Sequence, residues 1–319
     1  MNAKKTKKIV VLATGGTIAG LADDVEAPQR YKAAQLGVGQ LLKGLQLDST
    51  TLVSEQVAQI DSKNMSYDIW QTLVSRVSHW LAQDDVQAVV ITHGTDTLEE
   101  SAYLLQAVLQ PTKPVVLTCA MRPANARDSD GPGNLQDAFV VAQSQEAKGV
   151  CVVCAGQVHA AQDVQKIHSH QLNAFTSGDA GPWGIVADRC LQRLRAVSSS
   201  APALAVPSAQ EFCAAQHWPR VEWVVNYAGA DGRIVRALLA SDPPAGWVVA
   251  GTGNGSVSRD LEAALLDAQT RGAKVLRTSR CALGQAQDQP DELFPVAHGL
   301  TPAKARVALF LSLMKEKIA

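Results

Sequence analysis

The chain has 319 residues, a formal net charge of −1 and a pI near 6.7, with 46% apolar and 18% charged residues. That length predicts two domains, and the composition belongs to folded globular proteins rather than disordered ones. The near-neutral charge excludes an electrostatic footprint for nucleic acid, and no apolar run approaches the ~18 residues that a membrane span needs.

Lys4, Lys5, Lys7 and Lys8 precede the apolar run Ile9–Ala13. The run is too short for a signal-peptide core, lacks a small-residue cleavage site and enters a glycine turn; it reads as a first strand behind a solubilising tail. A cytoplasmic protein is expected, since a periplasmic one would need a leader already removed. The turn is Thr14-Gly-Gly-Thr-Ile-Ala-Gly20. Counted from Gly15, a dinucleotide loop needs glycine at the third position, where Thr17 stands; the nucleotide reading fails at the point where backbone must approach a pyrophosphate. What remains is a tight turn presenting a hydroxyl at the carboxyl end of a strand.

Ala88–Thr92 is the next strand, and Ile91-Thr-His-Gly-Thr-Asp-Thr-Leu-Glu-Glu100 carries it through a turn into a helix over Thr97–Leu109, with Leu98, Ala102, Leu105 and Leu109 on one face. Alone, Thr95 and Asp96 would be ordinary helix caps. Two hydroxyl-bearing turns on strand ends of one sheet instead suggest a site. Strand Pro114–Cys119, helix Asn134–Lys148 and strand Gly149–Ala155 follow. Cys151 and Cys154 have CxxC spacing, but positions three apart on a strand face opposite ways, so they are core residues and not a metal or disulfide pair. Lys166, in Asp163-Val-Gln-Lys166, matters only if it lies near Thr95, because a threonine hydroxyl needs a base to take its proton and a buried lysine can serve; His168 and His170 are the alternative bases.

This alternation predicts an α/β fold: a larger N-terminal domain, 1–198, with a mainly parallel sheet covered by helices, and a smaller C-terminal α/β domain, 220–319. Ala196–Pro219 shows no sustained period, and the linker is placed at 199–219. Beyond it the chain repeats the rhythm: strand Val221–Tyr227, a helix from about Gly232, strand Gly246–Ala250, helix Val257–Arg271, strand Lys274–Thr278, and a closing helix from Pro302, which suits a first helical turn.

Thr14–Gly20, Ile60-Asp-Ser-Lys-Asn-Met65 and His93–Thr97, in this order and spacing, resemble the bacterial-type L-asparaginase family, including its asparaginase–glutaminase members. Ala120-Met-Arg-Pro123, Asp130-Gly-Pro132, Asn134-Leu135 and Gly251-Thr-Gly-Asn-Gly255 match as well, so the resemblance covers essentially the whole chain. It implies a threonine amidohydrolase that needs no cofactor and no metal, with free L-asparagine as substrate and weaker action on glutamine. It further implies that Thr17 is the nucleophile that forms the acyl-enzyme and that Tyr31 assists it. Thr95, Lys166 and Asp96 would form a second triad; Asp96 and Ser62 match residues that hold the substrate's α-amino and α-carboxylate groups, with Thr95, Lys63 and Ala120 beside the substrate. A carboxylate for the ammonium and hydroxyl or backbone donors for the carboxylate are what a free amino acid requires. Backbone N–H groups near Ala120 or Thr95 would meet the oxyanion.

The resemblance also implies a homotetramer, a dimer of dimers with sites shared between subunits, and the turn Gly251–Ser256 is placed at that junction. Position 63 departs from the pattern, being lysine where relatives commonly carry glutamine or glutamate. Ser256 stands near a place where some relatives use asparagine, and the acidic contact from a neighbouring subunit falls among Asp288, Asp291 and Glu292. A non-catalytic amino-acid sensor on the same scaffold would keep Ser62 and Asp96 but would have no need of Thr17, Tyr31 and Lys166 together.

Overall fold

The computed structural model describes residues 7–24, 30–43, 50–197, 204–290 and 293–318. It divides into two compact units, Met1–Ser198 and Ser199–Ala319.

In the first unit β1 (Lys7–Gly15) is followed by a short antiparallel pair, β2 (Leu21–Ala22) and β3 (Tyr31–Lys32), and by the single turn α1 (Val38–Leu41). Then come β4 (Thr50–Ile60), α2 (Tyr67–Leu81), β5 (Val86–Thr92), α3 (Leu98–Leu109), β6 (Val115–Thr118), α4 (Gly131–Gln143) and β7 (Val150–Cys154). The rest is β8 (Gln157–Ala160), the small pair β9 (Gln165–Lys166) and β10 (Phe175–Thr176), and β11 (Gly184–Ala187) with β12 (Cys190–Arg193). Eight of these strands form one sheet, in the order β12-β11-β8-β7-β6-β5-β1-β4.

From β4 to β7 the pairing is parallel, as the strand–helix alternation predicts. β1 is buried from Ile9 to Gly15 and has no polar face to spare, as expected of a strand covered on both sides. One large core cluster gathers Ile9, Val11, Val90 and Val116 of the sheet with Leu135 and Phe139 of α4. Beyond β7 the sheet turns antiparallel. Ala155 (φ 50°) and Gly156 (φ 73°) close the β7–β8 hairpin, with the two positive φ values that suit a tight two-residue hairpin turn. The parallel register keeps the strand ends level: Gly15 lies against Ile60, Ala13 against Thr92, and Thr92 against Thr118. The loops that leave these ends therefore emerge side by side, where open α/β sheets bind ligands.

The second unit carries α5 (Ala209–Ala214), β13 (Val221–Val225), α6 (Arg233–Ser241), β14 (Gly246–Gly251), α7 (Arg259–Thr270), β15 (Lys274–Ser279) and α8 (Pro302–Ile318), with a parallel sheet ordered β13-β14-β15. Its core packs Trp247 and Val249 of the sheet against Leu261 and Leu265. Within 199–219 the short helix α5 follows Ser208. Ser208 and Glu211 form a capping box, and Phe212 is fully buried with Trp218 and Phe310 around it. One aromatic anchor and one cap hold a helix too short to show a period. Residues 198–203 lie outside the described residues.

Candidate active site

Four parallel strand ends supply the site: β1 leads to Thr17, β4 to Ser62, β5 to Thr95 and Asp96, and β6 to Ala120. Thr17 opens a 3-10 turn, Thr17–Ala19, and is 7% exposed. Its Oγ1 lies 2.8 Å from Oη of Tyr31, which β3 presents at the surface. The turns from β1 and β5 touch backbone to backbone. A Cβ on Gly16 would stand 2.4 Å from Gly94 Cα, and one on Gly94 would stand 2.5 Å from Ser62 Oγ. The glycines of both motifs are thus needed to let three loops meet.

At the β5 turn, Ser62 Oγ accepts the Asp96 N–H at 3.2 Å, and Thr97 Oγ1 donates to the Ser62 carbonyl at 2.8 Å. Lys166, 71 residues beyond Thr95, enters from β9 and joins the two. Its Nζ donates to Thr95 Oγ1 at 2.8 Å and to Asp96 Oδ1 at 2.6 Å. Thr95 is buried and half of the Asp96 side chain is open, so the row runs from a dry hydroxyl to a wet carboxylate. His168 stands elsewhere in this loop, its Nδ1 accepting the N–H groups of His170 and Gln171.

Two residues that sequence reasoning does not assign hold this row. Glu99, 8% exposed, accepts the Lys166 backbone N–H at 2.6 Å. It stands in the first turn of α3, and nothing in its spacing from Lys166 marks it in the sequence. His93 is fully buried, with Nδ1 2.8 Å from the Gly94 carbonyl and Nε2 2.9 Å from Ser101 Oγ. A carbonyl only accepts, so Nδ1 carries the proton and Ser101 donates to Nε2, while Ser101 in turn accepts from Trp70 Nε1 at 2.8 Å. Burial pulls the His93 pKa from 6.5 to about 4, against the raising pull of the Gly94 carbonyl. The ring is neutral and acts as a strut beneath the turn.

Lys63 sits on the rim. Its Nζ pairs with Asp61 Oδ2 at 2.9 Å and its side chain is 66% exposed. The hydrogen bond to Asp61 raises its pKa above the ordinary lysine value, helped by the charges of Asp61 and of nearby Asp96 and Tyr31. Ala120 is fully buried beside Ile18 and Ala19. The N–H groups that follow it, of Met121 and Arg122, are taken up by Asp130. They are not available to an oxyanion. The Ala120 carbonyl, trans to the Met121 N–H across a planar peptide, faces away from Asp130.

Cys119 and Cys154 meet at the ends of β6 and β7, where their hydrogen bond and burial raise the Cys119 thiol well above its ordinary pKa. Cys151 is pushed up to about 12 by burial. These thiols belong to the core. In the second unit, Asn254 exchanges hydrogen bonds with the backbone of Gln287, and Asp288 pairs with His298 at 3.0 Å. Asp291 and Glu292 lie outside the described residues.

The family description "Asparaginase, N-terminal" matches residues 8–197, and "Glutaminase/Asparaginase C-terminal domain" matches residues 220–318. The chain is 36% identical to a glutaminase-asparaginase of Pseudomonas fluorescens biotype A, over 98% of this chain and 87% of that protein. It is 34% identical to a probable periplasmic L-asparaginase of Haemophilus influenzae, over 99% of this chain and 91% of that protein. The crystal structure of a probable cytoplasmic L-asparaginase from Campylobacter jejuni matches with a TM-score of 0.89 at 35% identity, covering 97% of this chain and 95% of that one.

Proposed function

This chain belongs to the asparaginase family and hydrolyses the side-chain amide of L-asparagine to L-aspartate and ammonia; we propose that it does so through an acyl-enzyme on Thr17. The observation that carries this reading is a pair of hydroxyls on touching turns, each with its own proton partner: Thr17 with Tyr31, and Thr95 with Lys166.

Thr17 Oγ1 attacks the amide carbon and gives up its proton, with Tyr31 Oη at hydrogen-bond distance to receive or relay it. The C–N bond breaks, the amide nitrogen takes the proton and leaves as ammonia, and an ester on Thr17 remains. Water then attacks that ester, the bond from the acyl carbon to Thr17 Oγ1 breaks, Thr17 takes back a proton and aspartate leaves. The Thr95–Lys166–Asp96 row supplies the base: Thr95 Oγ1 takes a proton from the water as it passes its own to the neutral amine of Lys166, and Asp96 stabilises the ammonium so formed. Asp96 and Ser62 hold the α-ammonium and α-carboxylate. The Ala120 carbonyl accepts an amide N–H, and the oxyanion is left to N–H groups of the Thr95 turn.

A weaker action on glutamine fits the same site, since the extra methylene displaces the amide from Thr17 and a shift of ~1 Å costs about 10²-fold. Lys63, paired with Asp61 on the rim, adds to the preference by bringing a positive charge near the place of the α-ammonium. Lys63→Gln is expected to lower KM for asparagine about two- to fivefold, as befits an exposed charge, and to gain more for glutamine. Ammonia release from the two amides measures both the activity and this effect; unchanged kinetics would reduce Lys63 to a surface residue.

We place the enzyme in the cytoplasm, where its six free cysteines suit a reducing environment, and cell fractionation checks this. No helix among the described residues is long and apolar enough to cross a membrane. The active form is proposed to be a homotetramer, a dimer of dimers in which the Gly251–Ser256 turn and an acidic residue near 288–292 reach a partner's site. Sedimentation showing a fully active monomer would remove that proposal.

A further inference from the structure

We propose that the loop 120–130, fixed at its base by Asp130 and Asn134, is a positioning brace that sets Tyr31 and Lys166 in register with the two catalytic hydroxyls. The proposal rests on the assignment of Thr17 and Lys166 made above.

The base of the loop is unusually well tied. Both Asp130 oxygens accept from the Met121 N–H, at 2.9 and 3.1 Å, and Oδ1 also accepts the Arg122 N–H at 2.9 Å. Oδ2 accepts from Asn134 Nδ2 at 3.1 Å. Asn134, 4% exposed, donates to the Cys119 carbonyl at 3.0 Å and accepts the Ala155 N–H at 2.9 Å. One carboxylate and one amide thereby join the ends of β6 and β7 to the first turn of α4. Hydrogen bonds to an ionised acceptor are among the stronger ones, and this acceptor serves three donor groups.

From that base the loop reaches both halves of the site. Towards the nucleophile, the Ala124 N–H donates to the Gly20 carbonyl at 2.9 Å. Asn125 clasps Ala22, accepting its N–H at 2.8 Å and donating to its carbonyl at 2.9 Å. Ala22 is the strand partner of Tyr31 in the β2–β3 pair, so Asn125 holds the short strand on which Tyr31 is hung. Towards the base, Arg122 Nη1 donates to the His170 carbonyl at 2.8 Å, in the loop that follows Lys166. Neither Asp130 nor Asn134 needs to touch substrate: their effect passes through Ala120, Ala22 and His170. A two-residue strand pair has too few bonds of its own to hold a hydroxyl to a fraction of an ångström. The brace supplies that precision.

Two variants test it. Asp130→Asn keeps the shape but offers a single acceptor oxygen and turns an NH₂ group towards other donors. Asn125→Ala cuts only the clasp on Ala22. Kinetics of ammonia release from asparagine are measured per binding-competent site, counted by aspartate titration, with wild type and Thr17→Ala alongside. Asp130→Asn should lose about 10²-fold in kcat and Asn125→Ala about fivefold, with KM within about threefold of wild type, since misplacement costs rate and leaves ground-state binding alone. Because the clasp acts through Tyr31, Asn125→Ala should add no further loss in a Tyr31→Phe background, whereas independent effects would multiply. A loss under about threefold in Asn125→Ala, or losses that multiply with Tyr31→Phe, overturns the brace, whether or not Asp130→Asn folds. Should Thr17→Ala itself retain ammonia release, it is the acyl-enzyme reading that fails and not the brace.

Discussion

Replacing Thr17 with alanine is expected to lower turnover on asparagine by at least about 10³-fold, or ~4 kcal/mol of transition-state stabilisation. The substitution removes one hydroxyl and one methyl from a 3-10 turn whose shape is set by Gly16 and by the Gly20 N–H bond to the Thr17 carbonyl, both of which remain. Tyr31 Oη then faces a void with no nucleophile in it. Binding of aspartate should survive, because Ser62 and Asp96 stand on other strand ends. Steady-state ammonia release with calorimetric aspartate binding separates these two effects. Near-normal release from the alanine variant would transfer the nucleophile's role elsewhere, with Thr95 the next hydroxyl in line.

The second large effect concerns the base. Lys166→Met keeps the length and the apolar stem of the side chain and removes only the ammonium that joins Thr95 Oγ1 to Asp96 Oδ1. A loss of about 10²- to 10⁴-fold in kcat is expected, the range of a positioned acid–base group. Alanine at His168 or His170 should cost far less. The His168 ring already spends Nδ1 on two backbone N–H groups and serves the shape of the loop. An active methionine variant together with an inactive histidine variant would mean that the base had been misidentified.

The sequence makes some of this legible and not the rest, for physical reasons. Turn chemistry is local. Gly15-Gly16 before Thr17 and Gly94 before Thr95 announce strand ends that present hydroxyls, and the strand–helix rhythm announces a parallel sheet. α2 lies where no element is predicted, although Trp70, Leu73, Val74 and Val77 repeat at helical spacing; that signal is present and readable. β4 is harder, because it is an edge strand whose described residues are nearly all partly open to solvent, and its polar and apolar positions do not alternate cleanly. The antiparallel strands β8, β11 and β12 are four residues each, too short to establish a period.

At the site, the meeting of Lys166 with Thr95 is set by the path of the chain through β6, β7 and β8, and nothing in the spacing of 71 residues reveals it. Asp130, Asn134 and Glu99 stay hidden for a further reason. Most of their partners are backbone N–H and C=O groups, which look alike at every position of a sequence.

A floor in which backbone meets backbone leaves evolution few letters to exchange. Where Gly16 rests on Gly94 and Gly94 on Ser62, every larger residue collides with a neighbouring turn, so the pocket cannot be widened or narrowed from below. Variation in what the enzyme accepts has to enter from the margin, at places such as 61 and 63, where side chains reach solvent and can be traded without moving a strand. Paralogues with a changed diet would then keep the hydroxyls and differ along the lip, and a library aimed at new amide substrates is best spent there.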